Sequence, residues 1–115
     1  MINEFGLDLK VARRKSGLRQ SDCAHLIGIN QSRLSQFELG RMMPNAAECC
    51  ALALIYDRSV ESLFDSVLLQ LCEDLPERVA SLPDCGANWS TIRNRQQTIN
   101  RLAEALSVLP AGHAA

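Results

Sequence analysis

The chain has 115 residues, a length that fits one domain, or one small domain with an appendage. It is 47% hydrophobic and 22% charged, which excludes bulk disorder. Aromatics are only 4%, so Leu, Ile, Val and Ala must build the core, and helices are favoured over a β-sandwich. No apolar run is long enough to span a membrane. Met1-Ile2-Asn3-Glu4 has neither the basic nor the apolar part of an export signal, so a cytoplasmic protein is expected.

The net charge of −1 is unevenly placed. Between residues 10 and 41 seven cations (Lys10, Arg13, Arg14, Lys15, Arg19, Arg33, Arg41) face two anions, a net of +5. Between residues 42 and 92 eight anions face two cations, a net of −6. A basic block beside an acidic remainder is compatible with a small phosphate-facing surface and equally with a solvated helical face. The five cysteines are odd in number and form no C-x-x-C pair. Neither a disulfide framework nor a metal site is expected, and no cofactor is implied. Cys23, Cys49 and Cys72 read as small core residues.

In chain order, Phe5, Leu9 and Ala12 share one face, so the first helix is predicted over about residues 5–15, stopped at Ser16-Gly17 with Gly17 left-handed. A second, about Gln20–Ile27, turns Cys23, Ala24 and Ile27 inward and ends at Gly28. Asn30 caps a third, Gln31–Leu39, which Gly40 closes. There Leu34, Phe37 and Glu38 face one way, and Gln31, Ser32, Arg33 and Gln36 the other. Pro44-Asn45 opens a fourth helix, about Ala46–Tyr56. Ser59 caps a fifth, expected to run unbroken to about Asp74 on the spacing of Val60, Leu63, Phe64, Val67, Leu68 and Leu71. A loop is expected over Ser81–Ser90. The last helix, about Ser90–Leu109, should end at Pro110, with a frayed tail over Gly112–Ala115. Asn88-Trp89-Ser90 matches a glycosylation sequon that a cytoplasmic chain would not use.

Two short helices joined at Gly28-Ile29-Asn30 form a helix-turn-helix pattern. Gly28 permits the turn without Cβ strain, and Ala24 is small where two helices must meet. The second helix carries amides and a guanidinium able to read base edges in a major groove. Residues 9–64 resemble the Cro/phage-repressor (XRE-type) helix-turn-helix family. The likeness rests on Ala12-Arg13, Gly17-Leu18, Gln20, Ala24, Leu26-Ile27-Gly28-Ile29, Leu34-Ser35, Phe37-Glu38, Gly40-Arg41, Pro44, Leu52-Ala53 and Leu63-Phe64. It implies an all-α fold: a five-helix lambda-repressor-like domain over residues 1–65, with a helical extension over residues 66–115.

The resemblance also implies roles. Gln20 and Arg41 fall on phosphate-contacting positions, and Gln31, Ser32, Arg33 and Gln36 on base-reading or groove-facing ones. Arg19 and Ser35 are further phosphate candidates, and Arg13 and Glu38 match a structural ion pair. Cys23 and Leu39 depart from the pattern, with Leu39 apolar where a polar residue is usual.

In the extension, Ile92, Ile99 and Leu106 lie seven apart, with Leu102 and Leu109 between them and Arg95 interrupting the second series. With Leu68 and Leu71 they are expected to form a dimer interface, or to pack back within one chain. The expected function is a dimeric, sequence-specific DNA-binding regulator, a repressor, acting on a palindromic operator in double-stranded DNA. The alternative is an antitoxin-like module that binds a partner protein through its C-terminal helices. No constellation of catalytic residues supports an enzyme, and Cys49-Cys50 are angled too far apart on a helix to act as a redox pair.

Overall fold

The computed structural model describes residues 4–86 and 89–114. Those residues form helices and connecting turns, with no strand among them: α1 (Glu4–Lys15), α2 (Gln20–Ile27), α3 (Gln31–Glu38), α4 (Ala46–Tyr56), α5 (Val60–Leu63), α6 (Asp65–Ala80) and α7 (Trp89–Ala114). Two compact units divide between Leu68 and Leu69. Among the described residues no helix is long and apolar enough to cross a membrane.

In the first unit the inward faces of α1 to α5 meet in one core. Phe5, Leu9, Ala12, Cys23, Ala24, Leu34, Phe37, Leu52, Tyr56, Leu63 and Phe64 are buried together. The expected ends hold where local chemistry fixes them. Gly17 and Gly28 adopt φ of +74° and +86°, which L side chains rarely do. The Asn30 side chain accepts from the Arg33 N–H at 2.8 Å, satisfying one unpaired donor of the first turn of α3. Ser59 likewise accepts from the Ser62 N–H at 3.1 Å. Within the core, Cys23 Sγ lies 2.8 Å from the Tyr56 hydroxyl, so the thiol sits among buried groups as its spacing suggests. Cys49 is only half-buried.

The structure corrects three helix boundaries. The fifth helix is not continuous to Asp74. Phe64 leaves helical geometry (φ −111°, ψ 35°), and α6 starts at Asp65. Leu63 and Phe64, on either side of the break, both reach the core, with the Phe64 ring 6.2 Å from that of Phe5. Pro76 does not end α6, which continues to Ala80. It forfeits one backbone hydrogen bond, and the helix beyond it still presents Val79 to apolar neighbours. Pro110 likewise lies inside α7, whose helical path extends to Ala114, so the expected end at Pro110 is not found. Asn88 of the sequon, Ala115 of the tail and the side chain of Leu109 lie outside what is described.

In the second unit, Cys72 and Leu106 are buried. Pro76 and Val79 of α6 and Ala103, Leu106 and Ser107 of α7 line one apolar groove. Arg95 turns its guanidinium away from the stripe, and Nη2 donates to the Pro83 carbonyl at 2.6 Å. Leu106 is 7% exposed within its own chain. Ile92, Ile99 and Leu102 stay half-exposed, and Leu71 is 39% exposed.

Candidate nucleic-acid interface

The α2–turn–α3 segment is anchored on both helices. The Gly28 N–H donates to the Ala24 carbonyl at 2.9 Å and the Ile29 N–H to the same carbonyl at 3.0 Å, the paired bonds of a left-handed helix end. Leu34 and Phe37 have no exposed surface, so α3 rests on the core by one face. Gln31 and Ser32, at its start, are exposed.

Glu38, at the end of α3, is a hub. Its carboxylate, 3% exposed, accepts from Arg13 Nε at 2.7 Å and Nη2 at 3.1 Å. It also accepts from Gln20 Nε2 at 3.0 Å. Arg13 reaches on through Nη1 to the Leu18 carbonyl at 2.9 Å. One buried charge pair thus ties α1, the α1–α2 turn and α2 to α3. The pair is charge-assisted and bidentate, the strong form of such a contact, and it raises the Arg13 pKa further. With the Gln20 amide nitrogen committed to Glu38, its oxygen faces Gln31, whose Nε2 lies 3.4 Å away. Gln20 and Gln31 therefore sit side by side at the open edge of the two helices.

Arg33 is partly exposed, its side chain 36% accessible, and it is also paired. Its Nε and Nη2 donate to Glu48 at 2.6 and 2.9 Å. Glu48 is buried in the first turn of α4, where it also accepts from the Asn45 N–H at 2.8 Å, while the Asn45 side chain accepts from the Glu48 N–H at 2.9 Å. The Arg33 hydrogen bonds hold the Glu48 carboxyl below its usual pKa, against the opposing effect of burial. Sequence reading missed Glu48. Its local signal was the Asn-x-x-Glu capping box, but nothing local marks a partner fifteen residues upstream.

Among the remaining candidates, Ser35 and Gln36 are half-buried and Arg41 is exposed. Arg19 is exposed and pairs with Asp22 at 3.1 Å, a contact that solvent and salt screen readily. Among the described residues no carboxylate pairs with Lys10, Arg14, Lys15 or Arg41. Four of the five net positive charges of this segment therefore lie on side chains with no carboxylate partner among the described residues, and the fifth, Arg33, pairs with Glu48. No group of three or more acidic, His or Cys side chains fit for a metal occurs among the described residues.

A helix-turn-helix family model matches residues 9–63, from α1 to the end of α5. Comparison with curated proteins and with solved structures returns no match. A glycine-turned pair of short helices and a buried Arg13–Glu38 tie both fall within the matched residues. Residues 9–63, just under half of the chain, are thus similar to the Cro/C1-type helix-turn-helix family, whose members are DNA-binding regulators.

Proposed function

We propose that the protein is a dimeric repressor that inserts α3 into the major groove of a palindromic operator. The observation that carries this reading is the two-sidedness of α3: Leu34 and Phe37 are fully buried while Gln31 and Ser32 at its leading end are exposed. Gln31 and Gln36 supply amides, which pair bidentately with adenine, and Ser32 a hydroxyl. Gln20, Arg19, Ser35 and Arg41 are assigned to the phosphates on either side. Two copies reading half-sites about 34 Å apart multiply a specificity that one short helix cannot supply. Occupancy of a promoter is then sufficient for repression in the cytoplasm.

Selection from randomised duplex DNA with the full chain, followed by fluorescence anisotropy across a salt series, tests this. Enrichment of a palindrome is the expected result; equal binding to all sequences, with a steep salt slope alone, would overturn it. Gln31→Ala or Gln36→Ala is expected to cost ~1–3 kcal/mol on the selected site and little on random DNA. Equal losses on both would assign these amides to the backbone.

The second copy is placed on the extension, where Leu68, Leu71, Ile92, Ile99 and Leu102 leave apolar area uncovered. Leu71→Lys is expected to convert a dimer to a monomer in sedimentation and to weaken operator binding while the helical signal persists. A wild-type monomer that gains mass only with a different protein would instead support the antitoxin-like alternative.

A further inference from the structure

All three guanidinium nitrogens of Arg33 have partners inside the protein. Nε and Nη2 hold Glu48, and Nη1 lies 3.2 Å from Met42 Sδ. The guanidinium carbon stands 5.2 Å from the centre of the buried Phe37 ring. Reading a guanine needs two donors of one guanidinium edge aimed at O6 and N7. The Nε–Nη2 edge is occupied by Glu48, whose side chain is 8% exposed, and Nη1 of the other bidentate edge lies against Met42 Sδ. Releasing Glu48 would forfeit a bidentate, charge-assisted pair and leave its carboxylate with the Asn45 backbone N–H as donor. Geometry gives the pair a use. At eight residues, α3 is too short to hold an orientation by itself. Glu38 ties its last turn to Arg13 and Gln20, and Arg33 ties its first turn to the first turn of α4.

We propose that Arg33 is a positioning residue that fixes the presentation of α3 through Glu48, and that the amides of Gln31 and Gln36 with the Ser32 hydroxyl do the reading. This rests on α3 being the recognition helix, and it deepens that reading. The half-site core is then determined by adenine-matching amides, with no guanine specified by α3.

The test compares selected sequences and affinities for full-length wild type, Arg33→Gln and Arg33→Lys. Arg33→Gln is expected to enrich the same bases as wild type, with the ratio of operator to random-DNA affinity lowered about tenfold at a temperature where its circular dichroism is native. Arg33→Lys, which keeps the charge beside Glu48, should recover part of that ratio. Loss of a guanine at one position in either variant, with the other positions intact, would make Arg33 a base reader and overturn the proposal. An unchanged ratio in the folded variants would overturn it too, by reducing the pair to a stability contact. Should Arg33→Gln fail to fold, Arg33→Lys decides between these outcomes through its selected bases and ratio. A wild-type chain that enriches no sequence overturns the recognition-helix reading itself, and does so before any variant is compared.

Discussion

Glu38→Ala is expected to destabilise the first unit by about 3–5 kcal/mol, the range for removing one partner of a buried ion pair. The Arg13 side chain is 11% exposed and would be left with the Leu18 carbonyl as its hydrogen-bond acceptor, and the Gln20 amide would lose its acceptor as well. A small domain has only about 5–15 kcal/mol in total, so the variant should melt at least ~10 °C lower. Thermal melts followed by circular dichroism measure this directly. Glu38→Gln, which keeps an acceptor but not the charge, should fall between. Replacing Arg13 and Glu38 together by apolar residues of similar size should cost less than the sum of the two single changes, because no stranded charge remains. A loss below ~1 kcal/mol in Glu38→Ala would show that Arg13 rehydrates freely and that the pair does not lock α1 to α3.

Gly6→Ala carries the second large effect, and its sign is the informative part. On an isolated helix the change would stabilise by about 1 kcal/mol, since glycine is a poor helix former. Here a Cβ would stand 2.6 Å from the Glu38 carbonyl oxygen, 2.7 Å from the Gly40 nitrogen and 2.8 Å from the Phe37 carbonyl oxygen. All three are backbone atoms at the end of α3, and none can rotate aside. α1 would have to back away from α3, weakening contacts around Phe5 and Leu9, both at most 1% exposed. Overpacking of this kind costs about 1–3 kcal/mol, enough to reverse the propensity gain. A net loss of about 2 kcal/mol is expected from chemical denaturation, with Gly6→Val worse. An alanine variant as stable as wild type would mean that α1 slides without cost.

Arg13 and Glu38 were legible as a pair only through family likeness, for nothing in the spacing of residues 25 apart predicts a contact. Gly6 gave no signal at all, because close approach of two backbones is a property of helix packing and not of either helix. Arg33 shows the same limit within the candidate site. On a helical wheel it joins Gln31, Ser32 and Gln36 on the polar face, yet its long side chain folds back to a carboxylate on another helix. The break at Phe64 was hidden because Val60, Leu63, Phe64 and Val67 fit one continuous stripe, and a stripe does not record where the backbone leaves helical geometry between two buried neighbours.

The sequence by itself determined what depends on neighbours in the chain: the helical class, the starts and stops at Gly17, Gly28, Asn30 and Ser59, and the inward faces of α1 to α3. These follow from backbone freedom, capping hydrogen bonds and a 3.6-residue period, all local quantities. Tertiary structure decided which charges are at liberty and which are consumed. Arg13 and Arg33 are bound to buried carboxylates, while among the described residues Lys10, Arg14, Lys15 and Arg41 have none. It also decided that Leu106 is covered within its own chain. The reason is common to these cases: a long side chain settles against whichever partner the packing of helices brings within about 3 Å, and that distance is fixed only when the whole core has closed.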